Sequence, residues 1–181
     1  DEARKLRGQQ TAASRRAAIE KCQQALPLFE AAGDTYRRAL TLIAIGIAYY
    51  PLNEFRKALD HFNQTLGLAQ QLGDRRLEAG TETFIGGMLD ILGDVDQALD
   101  HYQRALKFAR EGNWQQAEGS ALSNIGKIYK DVAEFQKALE FYTQALVIFR
   151  AIGSPTEAFT LNNIGVAYSD SGEQHKALDY L

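Results

Sequence analysis

Apolar residues along this chain recur at helical intervals. In Ala58, Leu59, Phe62, Leu66, Leu68, Ala69 and Leu72 the steps are mostly threes and fours, the spacing that lines one face of an α-helix. No stretch sustains the alternation of a strand, and neither Asn-Gly nor Asp-Gly occurs, so the commonest hairpin turns are absent. The helical pattern itself repeats. Ile45-Gly46-Ile47-Ala48-Tyr49 leads to Ala58-Leu59, and Ile85-Gly86-Gly87-Met88-Leu89 leads to Ala98-Leu99. Ile125-Gly126-Lys127-Ile128-Tyr129 leads to Ala138-Leu139, and Ile164-Gly165-Val166-Ala167-Tyr168 leads to Ala177-Leu178. The glycines stand at 46, 86, 126 and 165, and the alanines keep the same steps of 40, 40 and 39. A fixed period of that size marks stacked supersecondary units.

A second signal divides the units. Gly33-Asp34, Gly73-Asp74, Gly112-Asn113 and Gly153-Ser154 recur at steps of 40, 39 and 41. Glycine supplies the left-handed residue that ends one helix, and Asp, Asn or Ser caps the next by accepting from its free N–H groups. Pro155 suits a first helical position. Weaker breaks fall at Leu52-Asn53, Gly93-Asp94, Val132-Ala133 and Ser171-Gly172. Each unit is therefore a pair of helices, A then B. The A helices are expected over 35–51, 75–91, 114–131 and 155–170, and the B helices over 54–72, 94–111, 134–152 and from 173 onward. The expected fold is all-α, a right-handed solenoid of stacked antiparallel helix pairs. It forms one array over 1–181: a degenerate first repeat (1–33), full repeats at 34–73, 74–112 and 113–153, and a truncated last repeat at 154–181. Residues 1–10 are expected to form a short helix that caps or begins the array, its Arg4, Lys5 and Arg7 on a solvated face with Arg15 and Arg16.

Gly46, Gly86, Gly126 and Gly165 lie mid-helix, where glycine costs about 1 kcal/mol against alanine. A cost repeated at one position implies close packing of helix B against helix A. Tyr49, Tyr129 and Tyr168 are expected to fill the gap between neighbouring pairs, with Met88 and Cys22 in the core.

Composition narrows the function classes. The chain has 181 residues, 45% apolar and 24% charged, with a net charge of −3. That is the balance of a folded chain, and it does not suggest a nucleic-acid or membrane-surface binder. No window approaches a membrane span. The single Cys22 excludes an internal disulfide, which fits a reducing, cytoplasmic setting. The chain starts at Asp1 without an initiator Met and stops at Leu181 inside a repeat, and so reads as a piece of a longer protein.

Gly-x-x-Tyr on helix A, then Ala-Leu and a Tyr or Phe on helix B, resembles the tetratricopeptide repeat. The resemblance covers nearly the whole chain in register. It departs in length, since the usual repeat is about 34 residues. Long forms with Gly-Asp joints resemble the repeats of cell-polarity adaptors, kinesin light chains and bacterial arrays fused to caspase-like CHAT proteases. Leu161-Asn162-Asn163-Ile164-Gly165 and Gln144-Ala145-Leu146 look most like the bacterial set. The resemblance implies binding of peptides or proteins in a concave groove lined by the A helices.

With Ala39, Leu42, Ile45, Gly46 and Tyr49 on the core side, the groove side of the first A helix holds Leu40, Ile43, Ala44, Ile47 and Tyr50. A helix apolar on both flanks should be covered on both. The matching positions are Gly80, Thr83, Phe84, Gly87 and Asp90; then Ser120, Ser123, Asn124, Lys127 and Lys130; then Phe159, Asn162, Asn163, Val166 and Ser169. Ile43, Ile47, Tyr50 and Phe84 would form an apolar floor, Asn124 and Asn163 would hydrogen-bond a partner's backbone, and Lys127 and Lys130 would meet an acidic side chain. Ile43 and Ile47 stand where the Lys/Asn pairing of a peptide-carboxylate clamp would begin, so such a ligand is disfavoured.

No catalytic or cofactor motif is found, and no metal site is expected. His61 and His101, which follow Asp60 and Asp100, read as exposed surface. His175 is isolated, and Cys22 reads as an inert core thiol. Trp114 is either a contact residue or packs on Gly112. The expected function is a non-enzymatic protein- or peptide-binding scaffold. Two alternatives are a regulatory segment of a larger signalling protein or CHAT-type protease, and self-association through the solenoid ends.

Overall fold

Each helix predicted from residue 35 onward forms. The computed structural model describes residues 12–180, and among them the order is α1 (Ala12–Ala31), α2 (Thr35–Tyr49), a 3-10 turn (Tyr50–Leu52), α3 (Phe55–Leu72), α4 (Arg75–Leu92), α5 (Val95–Glu111), α6 (Gln115–Asp131), α7 (Phe135–Ala151), α8 (Thr156–Asp170) and α9 (Gln174–Leu178). No strand occurs among the described residues. The helix expected over 1–10 lies outside them. The chain divides into two compact units, Asp1–Leu77 and Glu78–Leu181.

The joints share one geometry. The residue that ends each helix is left-handed: Gly33, Asn53, Gly73, Gly93, Asn113, Ala133, Gly153 and Gly172 all have φ between 53° and 88°. The next residue's N–H reaches back to the carbonyl five residues earlier, as in Asp34 to Phe29, Asp94 to Leu89 and Glu134 to Tyr129. This satisfies carbonyls that a helix end leaves free. Asp34 and Asp74 also cap forward, accepting from the N–H groups of Arg37 and Leu77.

The third predicted joint needs a correction. Gly112 has φ −90°; the left-handed residue is Asn113, and Trp114 holds the N-cap position without a side-chain bond. The left-handed residues of these joints then stand at 33, 73, 113 and 153, a constant step of 40. A Cβ on Gly112 would lie 2.3 Å from the Trp114 ring, so Gly112 is there to admit that ring.

In the first unit, α1, α2 and α3 pack as successive neighbours. Ala39, Leu42, Ile45, Gly46 and Tyr49 are the buried residues of α2, the side expected to face the core. A Cβ on Gly46 would sit 2.5 Å from the Phe62 ring of α3. Cys22 of α1 is partly buried.

In the second unit the same contact recurs between α4 and α5 and between α6 and α7. A Cβ on Gly86 would lie 2.9 Å from Tyr102 and 3.2 Å from the Ala98 carbonyl; on Gly126 the figures are 2.8 Å from Tyr142 and 3.2 Å from the Ala138 carbonyl. A ring and a backbone oxygen of helix B therefore occupy the space a side chain would fill. Met88 is buried, and one core cluster of this unit joins Ala138, Leu139, Tyr142 and Leu146 to Ile164 and Ala167.

The helix-A tyrosines Tyr129 and Tyr168 pack against this cluster between two pairs, as expected, and each helix-A tyrosine also closes its own pair from within. Tyr129 stacks on Phe141 at 5.4 Å and Tyr168 on Tyr180 at 5.7 Å, each across its own hairpin. Lys137 and Lys176 lie over the two tyrosine rings while pairing with Glu134 and Glu173. In the first unit Tyr49, His61, Lys57 and Glu54 repeat the arrangement.

Candidate functional site

The residues assigned to the groove sit on the A helices, except Tyr50 in the 3-10 turn that follows α2, and each unit holds its own part of that face. In the first unit, Leu40, Ile47 and Tyr50 are 42%, 48% and 51% exposed. Ile43 is half-buried. The Tyr50 ring is steadied edge-on by Phe55, 5.7 Å away. Beside them is an open recess of about 310 Å³, lined by Ser14, Arg15 and Ala18 of α1 and by Ala44, Ile47 and Ala48 of α2. The second flank of α2 is thus apolar and largely open.

In the second unit the face is polar at its centre. Phe84 of α4 is 36% exposed and Phe159 of α8 is 64% exposed; Thr83, Gly87, Asp90, Asn124, Lys130, Asn163 and Val166 are half-buried, and Asn162 is exposed. Ser123 is buried, and its hydroxyl has no hydrogen-bond partner among the described residues.

Lys127 and Lys130 are not unpaired cations. The Lys127 ammonium donates to Asp90 of α4 at 2.7 Å and to Asp131 at 2.8 Å, and Lys130 also pairs with Asp131. Burial works against the Lys127 charge, but these two bonds outweigh it and raise its pKa above the ordinary lysine value. Asp131 is likewise penalised by burial, yet the two lysines hold its pKa below the usual carboxylate range. An acidic partner would have to displace carboxylates already in place.

Below this face lie two helix-B phenols. The Tyr102 hydroxyl sits under Gly87, 3.6 Å from where a Cβ would project. Burial first, and Asp90 second, raise the Tyr102 pKa; burial and Asp131 do the same for Tyr142. Both phenols therefore stay protonated. Neither tyrosine is singled out in the sequence, and spacing gives no sign that the Tyr102 hydroxyl comes up beneath Gly87.

The two histidines differ from expectation, for neither is fully exposed. His61 stacks on Tyr49 with planes 10° apart, and its Nδ1 is buried without a partner among the described residues. Burial depresses its pKa, with Asp60 pulling the other way. His101 Nδ1 bonds instead to Glu82, a carboxylate only 3% exposed, and Arg104 approaches the same group at 3.8 Å. Glu82 stands where the other pairs carry Leu42, Leu122 and Leu161, and Leu89 stands where they carry tyrosine. The pair with no ring for its histidine has a buried acid for it. Glu82 could have been noticed in the sequence as an acid at a leucine register. No group of three or more metal-ligating side chains occurs among the described residues, and no helix among them is long and apolar enough to cross a membrane.

Solved structures similar to this chain include BtubC from P. vanneervenii, 22% identical with a TM-score of 0.71 over 92% of this chain and 70% of that one. Aspartyl phosphate phosphatase F from Bacillus subtilis is 18% identical with a TM-score of 0.85 over 93% of this chain and 45% of that one. A Rap protein complexed with competence and sporulation factor is 19% identical with a TM-score of 0.80 over 92% of this chain and 48% of that one. At these identities the likeness is one of fold, and the chain spans about half the length of the last two. No curated protein matches. The family model described as tetratricopeptide repeat matches residues 11–71, 77–151 and 117–181. Helix pairs joined at a forty-residue period, with glycine under a helix-B ring in each of the first three, agree with that match, and the chain belongs to the tetratricopeptide-repeat family.

Proposed function

We propose that this chain is a protein-interaction scaffold that takes a peptide or protein segment on the exposed flank of its A helices. The observation that carries the reading is the open side of α2. Leu40, Ile47 and Tyr50, each more than two-fifths exposed, stand in one row beside the recess against α1. A contiguous apolar surface beside a concavity is where partners dock. The likeness to a Rap protein solved in complex with competence and sporulation factor supports a bound partner. The second unit presents Phe84, Asn124, Asn163 and Val166 on its own A-helix face, where the amides would bond a partner's backbone.

The test is a paired substitution, Ile47→Arg with Phe84→Arg. Both side chains are solvent-exposed, so helical content by circular dichroism should match the parent. Retention of a partner captured by the parent chain should be lost. Undiminished capture by the double variant would overturn the reading. A mass by light scattering that doubles with concentration, and is abolished by the same variant, would make a second copy the partner.

A further inference from the structure

The two units carry opposite charge. Residues 1–77 hold twelve Lys and Arg against eight Asp and Glu, a formal +4; residues 78–181 hold eight against fifteen, a formal −7. A net charge of −3 for the whole chain conceals this division. Fields of this size select partners and steer their approach.

The A-helix face of the second unit has a notch. At the groove position that holds Ile47, Lys127 and Val166 in the other pairs, α4 has Gly87. Its missing side chain leaves the Tyr102 hydroxyl as the floor. Asp90 lies one turn further along α4 with one carboxylate oxygen on Lys127, and exposed Phe84 lies one turn before. The Asp90–Lys127 contact sets the register of α4 against α6. One turn back from it stand Gly87 on α4 and Ser123 on α6, whose buried hydroxyl has no partner among the described residues. The notch therefore has an aromatic wall, a carboxylate, and the Tyr102 hydroxyl beneath it.

We propose that this face takes a Lys- or Arg-bearing segment of a partner protein. Its cationic head enters over Gly87 to reach Asp90 and the Tyr102 hydroxyl, and its aliphatic stem lies along Phe84. Long basic side chains bury their stems on apolar surface while the head keeps polar partners, and an aromatic face adds attraction for the charge. Lys127 holds one oxygen of Asp90, and the partner's cation would share that carboxylate as Lys127 and Lys130 share Asp131. The inference rests on the A-helix flank being the binding face, and it specifies the partner's charge.

The test uses fluorescent extended peptides that alternate Ala with Lys, Ala with Glu, or Ala with Ser, titrated with the whole chain and read by anisotropy. The Lys peptide should bind most tightly and weaken with added salt. Gly87→Ile fills the notch with the side chain found in the first unit, and should weaken Lys-peptide binding about tenfold. Asp90→Asn should do the same, while Asp96→Asn, which removes an exposed acid of α5 outside the notch, should leave it unchanged. Preference for the Glu peptide, absence of Lys-peptide binding, or equal losses in the two Asp variants would each overturn the cationic-partner inference without touching the scaffold reading. The scaffold reading fails separately, if Ile47→Arg with Phe84→Arg keeps its captured partner.

Discussion

The rings of Tyr49 and His61 lie parallel, 5.7 Å between centroids, and the stack closes the α2–α3 hairpin over a histidine nitrogen that has no partner among the described residues. Burial lowers the His61 pKa from its ordinary value of 6.5. The folded chain therefore binds this proton less readily than the unfolded chain, and stability rises with pH across that window. The contribution is fully present above pH 6.5 and is lost as pH falls towards the depressed folded value. His61→Phe, the ring found at position 141, should flatten the acid side of the stability curve. Urea midpoints at several pH values between neutral and mildly acid would show it. Parallel curves for the parent and His61→Phe would refute the assignment.

A buried carboxylate at a leucine register makes a paired prediction. Removing His101 alone, as His101→Ala, leaves Glu82 without its closest partner and should cost about 3 kcal/mol. Glu82→Leu with His101→Phe restores the residue types of the next pair, Leu122 and Phe141, and should be neutral or stabilising by about 1–4 kcal/mol. Chemical denaturation of the three chains distinguishes the outcomes. A double variant weaker than His101→Ala would mean that the ion pair contributes more than apolar packing could replace.

Neighbouring glycines on α4 should respond in opposite directions to alanine. Gly87→Ala adds a Cβ at ordinary contact distance from Tyr102, 3.6 Å, so the helix-propensity gain of about 1 kcal/mol should appear. Gly86→Ala puts its Cβ 2.9 Å from the Tyr102 ring and 3.2 Å from a backbone oxygen, and overpacking of this kind costs about 1–3 kcal/mol. Thermal unfolding of the two variants is the check; a Gly86→Ala variant as stable as the parent would contradict the packing role.

Ala133 adopts φ 61° in the α6–α7 joint, where other joints use glycine or asparagine. The left-handed region costs an ordinary residue about 1–2 kcal/mol. Ala133→Gly should recover about 1 kcal/mol, allowing for the entropy glycine loses on folding. An unfolding midpoint unchanged or lowered by Ala133→Gly would show that the joint is held by something other than its backbone geometry.

The linear order of residues determined the helices, their pairing and the core face of each. That information is local: apolar spacing, a small residue at each turn, and glycine opposite a ring at a constant interval. Gly46 and the buried side of α2 were legible for that reason, and so was the row of Leu40, Ile43, Ile47 and Tyr50. Tertiary structure decided what depends on two helices meeting. Asp90 and Lys127 stand 37 positions apart, and nothing near either predicts that they neutralise each other. His101 follows an aspartate as His61 does, yet one histidine finds a buried acid and the other a ring, because Leu89 and Tyr49 offer their partners different surfaces. The tyrosines close their own hairpins because the ring within reach lies on the helix that follows directly. Spacing along a chain specifies which face of a helix is apolar; which groups touch depends on the register between helices, and that is established only on packing.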